Sequence, residues 1–147
     1  MKNVPGVIKI ISTLGVIPFI LGVLATFNIF NTNPALNAFL LNLSLFYGAL
    51  ILSFLGGCLF GFESLNKDGP AHSRTWIAIT PTIWALVALQ IPKFSASLLA
   101  FGFLLVYEFD RRAKSAGITP FWWLTLRLPL TAVVILSLSI IGFHNES

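Results

Sequence analysis

Nine basic and five acidic side chains carry the formal charge of this sequence, and one of them, Arg127, falls inside an apolar stretch. A charge placed in hydrocarbon is costly and faces protein, water or a partner. Arg127 lies two turns from the end of its predicted helix, so the simplest reading has its long stem reaching back to the headgroups. The alternative is an intramembrane ion pair with Glu63, Glu108 or Asp110, all expected near the same interface. Such a pair would tie the second, fourth and fifth helices together, or present one guanidinium to an anionic headgroup.

Other chemistry is sparse. A metal needs converging ligands, yet His72 and His144 are expected on opposite faces of the membrane and Cys58 has no second cysteine. Nucleophilic catalysis needs a base beside a Ser or Cys, and His72 is the sole candidate. No glycine-rich phosphate loop or dinucleotide fingerprint is present. The acidic residues Glu63, Asp68, Glu108, Asp110 and Glu146 all fall at interfaces or in loops, which argues against a proton-driven carrier. The sequence therefore offers no catalytic, metal-binding or cofactor-binding residue.

What must position Arg127 is a set of membrane helices. Of 147 residues, 56% are hydrophobic and 10% charged, and the mean hydropathy is +0.90. A soluble domain carries roughly 25% charged residues. The pattern predicts an all-α, polytopic protein, one domain over 1–147, with five transmembrane helices at about 7–29, 35–62, 75–91, 94–109 and 120–143. The first apolar run, Ile10 to Phe27, is longer than the roughly 7–15 residues of a signal-peptide core, so it reads as a retained span. Pro18 predicts a kink in it, and Pro81 interrupts the third helix. Asn33 and Thr119 are expected helix caps, followed by Pro34 and Pro120 at first helical positions. The third and fourth spans are short, and a shallow re-entrant hairpin is the alternative for that pair.

Orientation follows from the basic residues. With the N-terminus inside, Lys2, Lys9, Lys67, Arg74, Arg111, Arg112 and Lys114 lie on the inner face and only Lys93 on the outer. Trp76, Tyr107, Trp122 and Trp123 then fall at the inner interface, and the C-terminus lies outside. The net charge of +4 is accounted for by these flanks, which meet anionic lipid headgroups; no basic stripe for nucleic acid exists.

The second helix carries a packing signal. Ala49, Ser53, Gly57 and Gly61 recur every four residues, and small residues at that spacing admit a second helix closely. Packing within the chain is the first reading; a membrane-protein partner or a homo-oligomer is the other.

The run Tyr47-Gly48-Ala49-Leu50-Ile51-Leu52-Ser53-Phe54-Leu55-Gly56-Gly57 resembles the signature of the DUF3429 family, which includes transmembrane-protein-69-like proteins. Pro81 to Trp84, Tyr107 to Asp110, and Pro120-Phe121-Trp122-Trp123 with Leu126-Arg127 and Leu130-Thr131 fit the same pattern in order. The resemblance implies a five-helix protein of the bacterial inner membrane or, in eukaryotes, of mitochondria, and implies no activity. Members often carry a His-Trp pair after the glycines, where this chain has Leu59-Phe60, so no role of that histidine carries over.

The expected function is a non-enzymatic accessory or structural membrane component. The alternative is a small channel, transporter or lipid-binding protein using Arg127 and the kinked helices. A lipid enzyme would have to rely on Glu63, His72 or Glu108.

Overall fold

The computed structural model describes residues 4–29 and 33–146, with side chains to His144. Among them there are helices and no strand: α1 (Gly6–Leu14), α2 (Ile17–Thr26), α3 (Pro34–Ser64), α4 (His72–Leu89), a short 3-10 turn (Pro92–Phe94), α5 (Ser95–Ser115) and α6 (Trp123–Glu146). Four stretches are long and apolar enough to cross a membrane: Gly6–Thr26, Pro34–Ser64, Pro92–Ser115 and Trp123–His144. The chain is a membrane-spanning helical bundle, and α4 packs against α3 and α5 within it.

The helix boundaries have local causes. Pro18 has no N–H for the carbonyl of Leu14 and its ring crowds that turn, so the first stretch breaks between Leu14 and Ile17 into α1 and α2. Asn33 caps α3, its Oδ1 accepting from the N–H of Ala35 at 3.0 Å and of Leu36 at 3.4 Å, with Pro34 at the first position. Two expectations need correction. The charged stretch Asp110 to Gly117, expected as a link, is helical as far as Ser115, because charge ends the hydrocarbon without ending a helix. α5 continues until Gly117, whose φ of 73° ends it; Gly117 N donates to Lys114 O and Ile118 N to Ala113 O, a double closure that satisfies late carbonyls. Thr119 does not cap α6 either. Its hydroxyl is buried without a partner among the described residues, and the helix begins only at Trp123, after a turn from Trp123 N to Pro120 O.

The helices close a ring, α3 to α4 to α5 to α6 to α2 and back to α3, with α3 and α5 also meeting across it. Phe19, Leu52, Leu99, Phe103, Leu138 and Ile141 fill the centre. Phe19 stands edge-on to both Tyr47 and Phe103. Many large apolar side chains, Leu50, Phe54, Leu86 and Leu136 among them, face outward, as a lipid-exposed surface requires.

The small residues of α3 divide between two directions. Ala49 is buried, and the Ser53 and Thr82 hydroxyls share a hydrogen bond at 2.9 Å between α3 and α4. Gly57 is exposed, and a Cβ at Gly57 or Gly61 would meet nothing within 4 Å. A four-residue step overshoots one turn by about 40°, so three such steps carry Gly61 well away from Ala49. The close approach falls at Gly56, where a Cβ would stand 2.6 Å from the Ala78 carbonyl oxygen.

Candidate functional site

α5 and α6 present an acid and a base to each other. Leu99, Phe103, Val106, Asp110 and Ala113 recur at steps of three and four, share one face of α5, and are all buried. On α6 the same spacing aligns Trp123, Arg127, Thr131, Val134 and Leu138, again all buried. Arg127 Nε donates to Asp110 Oδ2 at 3.0 Å, and Trp123 Nε1 donates to Oδ1 at 2.8 Å. The Arg127 and Asp110 side chains are 7% and 1% exposed. The guanidinium therefore points inward to a carboxylate rather than reaching back to the headgroups. Each charge offsets the desolvation of the other. One donor is left over: Arg127 Nη2 is buried and has no partner among the described residues.

The other two carboxylates considered for Arg127 lie elsewhere. Glu63 continues the buried line Leu52, Leu55, Gly56 and Leu59 on α3. It accepts from Arg74 Nε at 2.7 Å, from Arg74 Nη2 at 3.1 Å and from the Ala71 N–H at 2.6 Å. That arrangement ties the end of α3 to the start of α4. Glu108 stands two residues before Asp110, about 200° around the helix, and takes Arg111 and Arg112 on the exposed side of α5. Arg74 and Trp123 were read only as a topology signal and an interfacial aromatic. The spacing of Trp123 four residues before Arg127 is the sequence signal that puts both on one face.

A cavity of about 320 Å³ lies between α1, α3 and α6. Arg127, Trp123 and Val134 border it from α6, Tyr47 and Ile51 from α3, and Ile11 from α1. It exists because α1, past the break at Gly15-Val16, leans mainly on α6 and leaves a gap beside α3. Among the described residues, no group of three or more His, Cys, Asp or Glu gathers in a way that would hold a metal ion.

A family model described as a protein of unknown function, DUF3429, matches residues 4–142. The chain belongs to that family. No curated protein and no solved structure matches it. In this DUF3429 chain Leu59 lies in the hydrophobic core and Phe60 faces outward.

The Glu63 arrangement makes a direct prediction for this DUF3429 protein. Glu63→Gln keeps the shape but loses the charge that draws in Arg74 and the Ala71 amide. Charge-assisted bonds contribute about 1.5–3 kcal/mol, and Arg74 is half-open to the surroundings, so a loss near the lower figure is expected. Thermal unfolding in detergent measures it, and an unchanged midpoint would show that the tie between α3 and α4 carries no stability.

Proposed function

We propose that this protein is a non-enzymatic accessory component of a larger membrane assembly. The observation that supports it is the position of Gly57 and Gly61 on the longest helix, where an added Cβ would meet no described atom beyond its own stretch of helix within 4 Å. Small residues on an outward helix face let another backbone come close, and van der Waals packing of that kind drives association where lipid removes the hydrophobic force. The partner is a helix of another membrane protein, with a second copy of this chain as the alternative.

In this reading the chain crosses the bilayer five times. α4 has 18 residues and is about 27 Å long at 1.5 Å per residue, close to the roughly 30 Å hydrocarbon core. The N-terminus lies inside and the C-terminus outside, following the seven basic residues from Lys2 to Lys114 set against Lys93. The membrane is the bacterial inner membrane, or the mitochondrial inner membrane in a eukaryote, as the family resemblance implies.

The test is gentle purification from native membranes with the double variant Gly57→Leu, Gly61→Leu. The wild-type chain should bring down a stoichiometric protein, and the variant should lose it. Because a Cβ at either glycine meets open space and leucine is the better helix former, the variant should be no less stable than the wild-type chain. A folded double variant that keeps the partner rules out this face.

A second reading, a lipid-binding membrane protein working through Arg127, is favoured by one observation. The Arg127 side chain borders a cavity whose lining is mostly apolar.

A further inference from the structure

We infer that the recess between the start of α4 and the end of α5 binds the phosphodiester of an anionic membrane phospholipid, held by the guanidiniums of Arg74 and Arg112. The site is separate from Arg127 and from the Gly57 face, so its test is independent of both readings above.

Two helices joined by a tight turn bring these arginines to one level. Arg74 and Arg112 stand on either side of Pro92, about 27 Å and 30 Å from it along α4 and α5 at 1.5 Å per residue. Both border a recess of about 50 Å³ that has Leu59, Phe109 and Ile118 among its walls. At about 30 Å³ per water-sized unit it admits one or two small groups. That suits the oxygens of a phosphate and excludes an acyl chain.

The guanidiniums are held in place yet open to a ligand. Their side chains are 40% exposed for Arg74 and 71% for Arg112. Glu63 takes Arg74 through Nε and Nη2, and Glu108 takes Arg112 through Nε. Arg74 Nη1 and both Nη atoms of Arg112 carry no hydrogen bond among the described residues, and a guanidinium edge matches two phosphate oxygens.

Charge and depth select the ligand. Glu63 balances Arg74, whereas Glu108 is shared between Arg111 and Arg112, so this group of ion pairs has one positive charge left over. A single phosphodiester anion cancels it, while a zwitterionic headgroup brings a cation of its own. Trp76, two residues past Arg74, is 73% exposed on the outside of α4, as an indole at the headgroup level would be. α5 passes at the same end from its apolar stretch into Glu108–Lys114. Basic pockets between membrane helices at this level take anionic headgroups.

The experiment uses the full chain in nanodiscs of phosphatidylcholine with a minor share of phosphatidylglycerol. Lipids retained after detergent extraction are counted by mass spectrometry. The wild-type chain should enrich phosphatidylglycerol about tenfold, the effect of one charge-assisted hydrogen bond. Arg112→Gln should abolish the enrichment; Arg112 is exposed and Glu108 keeps Arg111, so this variant should fold normally. Lys114→Gln makes the same change of charge on a residue that does not line the recess, and should keep the enrichment. Ile118→Trp fills the recess, retains both arginines, and should lose it. Inorganic phosphate at the concentration of the phosphatidylglycerol should not displace the lipid. No enrichment in the wild-type chain overturns the inference. Equal losses in Arg112→Gln and Lys114→Gln would reduce the effect to diffuse surface charge, and enrichment kept in Ile118→Trp would place the lipid elsewhere; either overturns it. Displacement by inorganic phosphate gives the recess to a soluble anion and overturns the lipid assignment.

Discussion

Replacing Arg127 with leucine should destabilise the bundle by about 3–5 kcal/mol, because it leaves the Asp110 carboxylate buried without its counter-charge. Both side chains are almost wholly enclosed, so neither water nor headgroups can take the place of the lost partner. Asp110→Leu should cost a similar amount by stranding the guanidinium. The double variant Asp110→Leu, Arg127→Leu should recover most of the loss, since a well-packed apolar pair is often as stable as a buried ion pair. Trp123→Phe, which removes one donor to the charged Asp110 Oδ1, should cost about 1.5–3 kcal/mol. Equilibrium unfolding in mixed micelles over the double-mutant cycle measures the coupling. Losses that simply add in the double variant would show that the two residues do not act as a pair.

Gly56→Val should destabilise the chain by about 1–3 kcal/mol, while Gly57→Val one position further on should change it by less than about 0.5 kcal/mol. At Gly56 a Cβ would stand 2.6 Å from the Ala78 carbonyl oxygen and 3.4 Å from the Pro81 ring. A backbone oxygen in a helix cannot turn aside as a side chain would, so α4 must move as a body. That shift would also strain the Ser53–Thr82 hydrogen bond. At Gly57 there is open space. Thermal unfolding of the two variants side by side in detergent tests the contrast, and equal midpoints would mean that the α3–α4 contact is not the close one.

The sequence was sufficient for the parts of this protein that depend on composition and on near neighbours along the chain. Apolar runs predict helices because a membrane leaves the backbone no other way to satisfy its hydrogen bonds in a single segment. The Pro18 break and the Asn33 cap are local events, legible because each involves residues within one turn of one another. The end of α5 was equally local in cause, but the charges from Asp110 to Lys114 obscured it. They mark where hydrocarbon ends, whereas Gly117 marks where the helix ends.

Partnership was decided by the tertiary structure. Depth alone put Glu63, Glu108 and Asp110 at the level of Arg127, and three carboxylates at one depth are indistinguishable without the rotation of each helix. Asp110 is chosen because it shares the inward face of α5 with Phe103 and Val106, whereas Glu108 is turned to the outside and Glu63 faces Arg74. The same rotation separates Gly56 from Gly57. A helix turns about 100° per residue, so one position decides whether a glycine admits a neighbouring backbone or looks out to lipid. The cavity beside Arg127 was not written locally at all. It forms where α1 diverges at a proline break, between helices distant in sequence, and only their packing shows it.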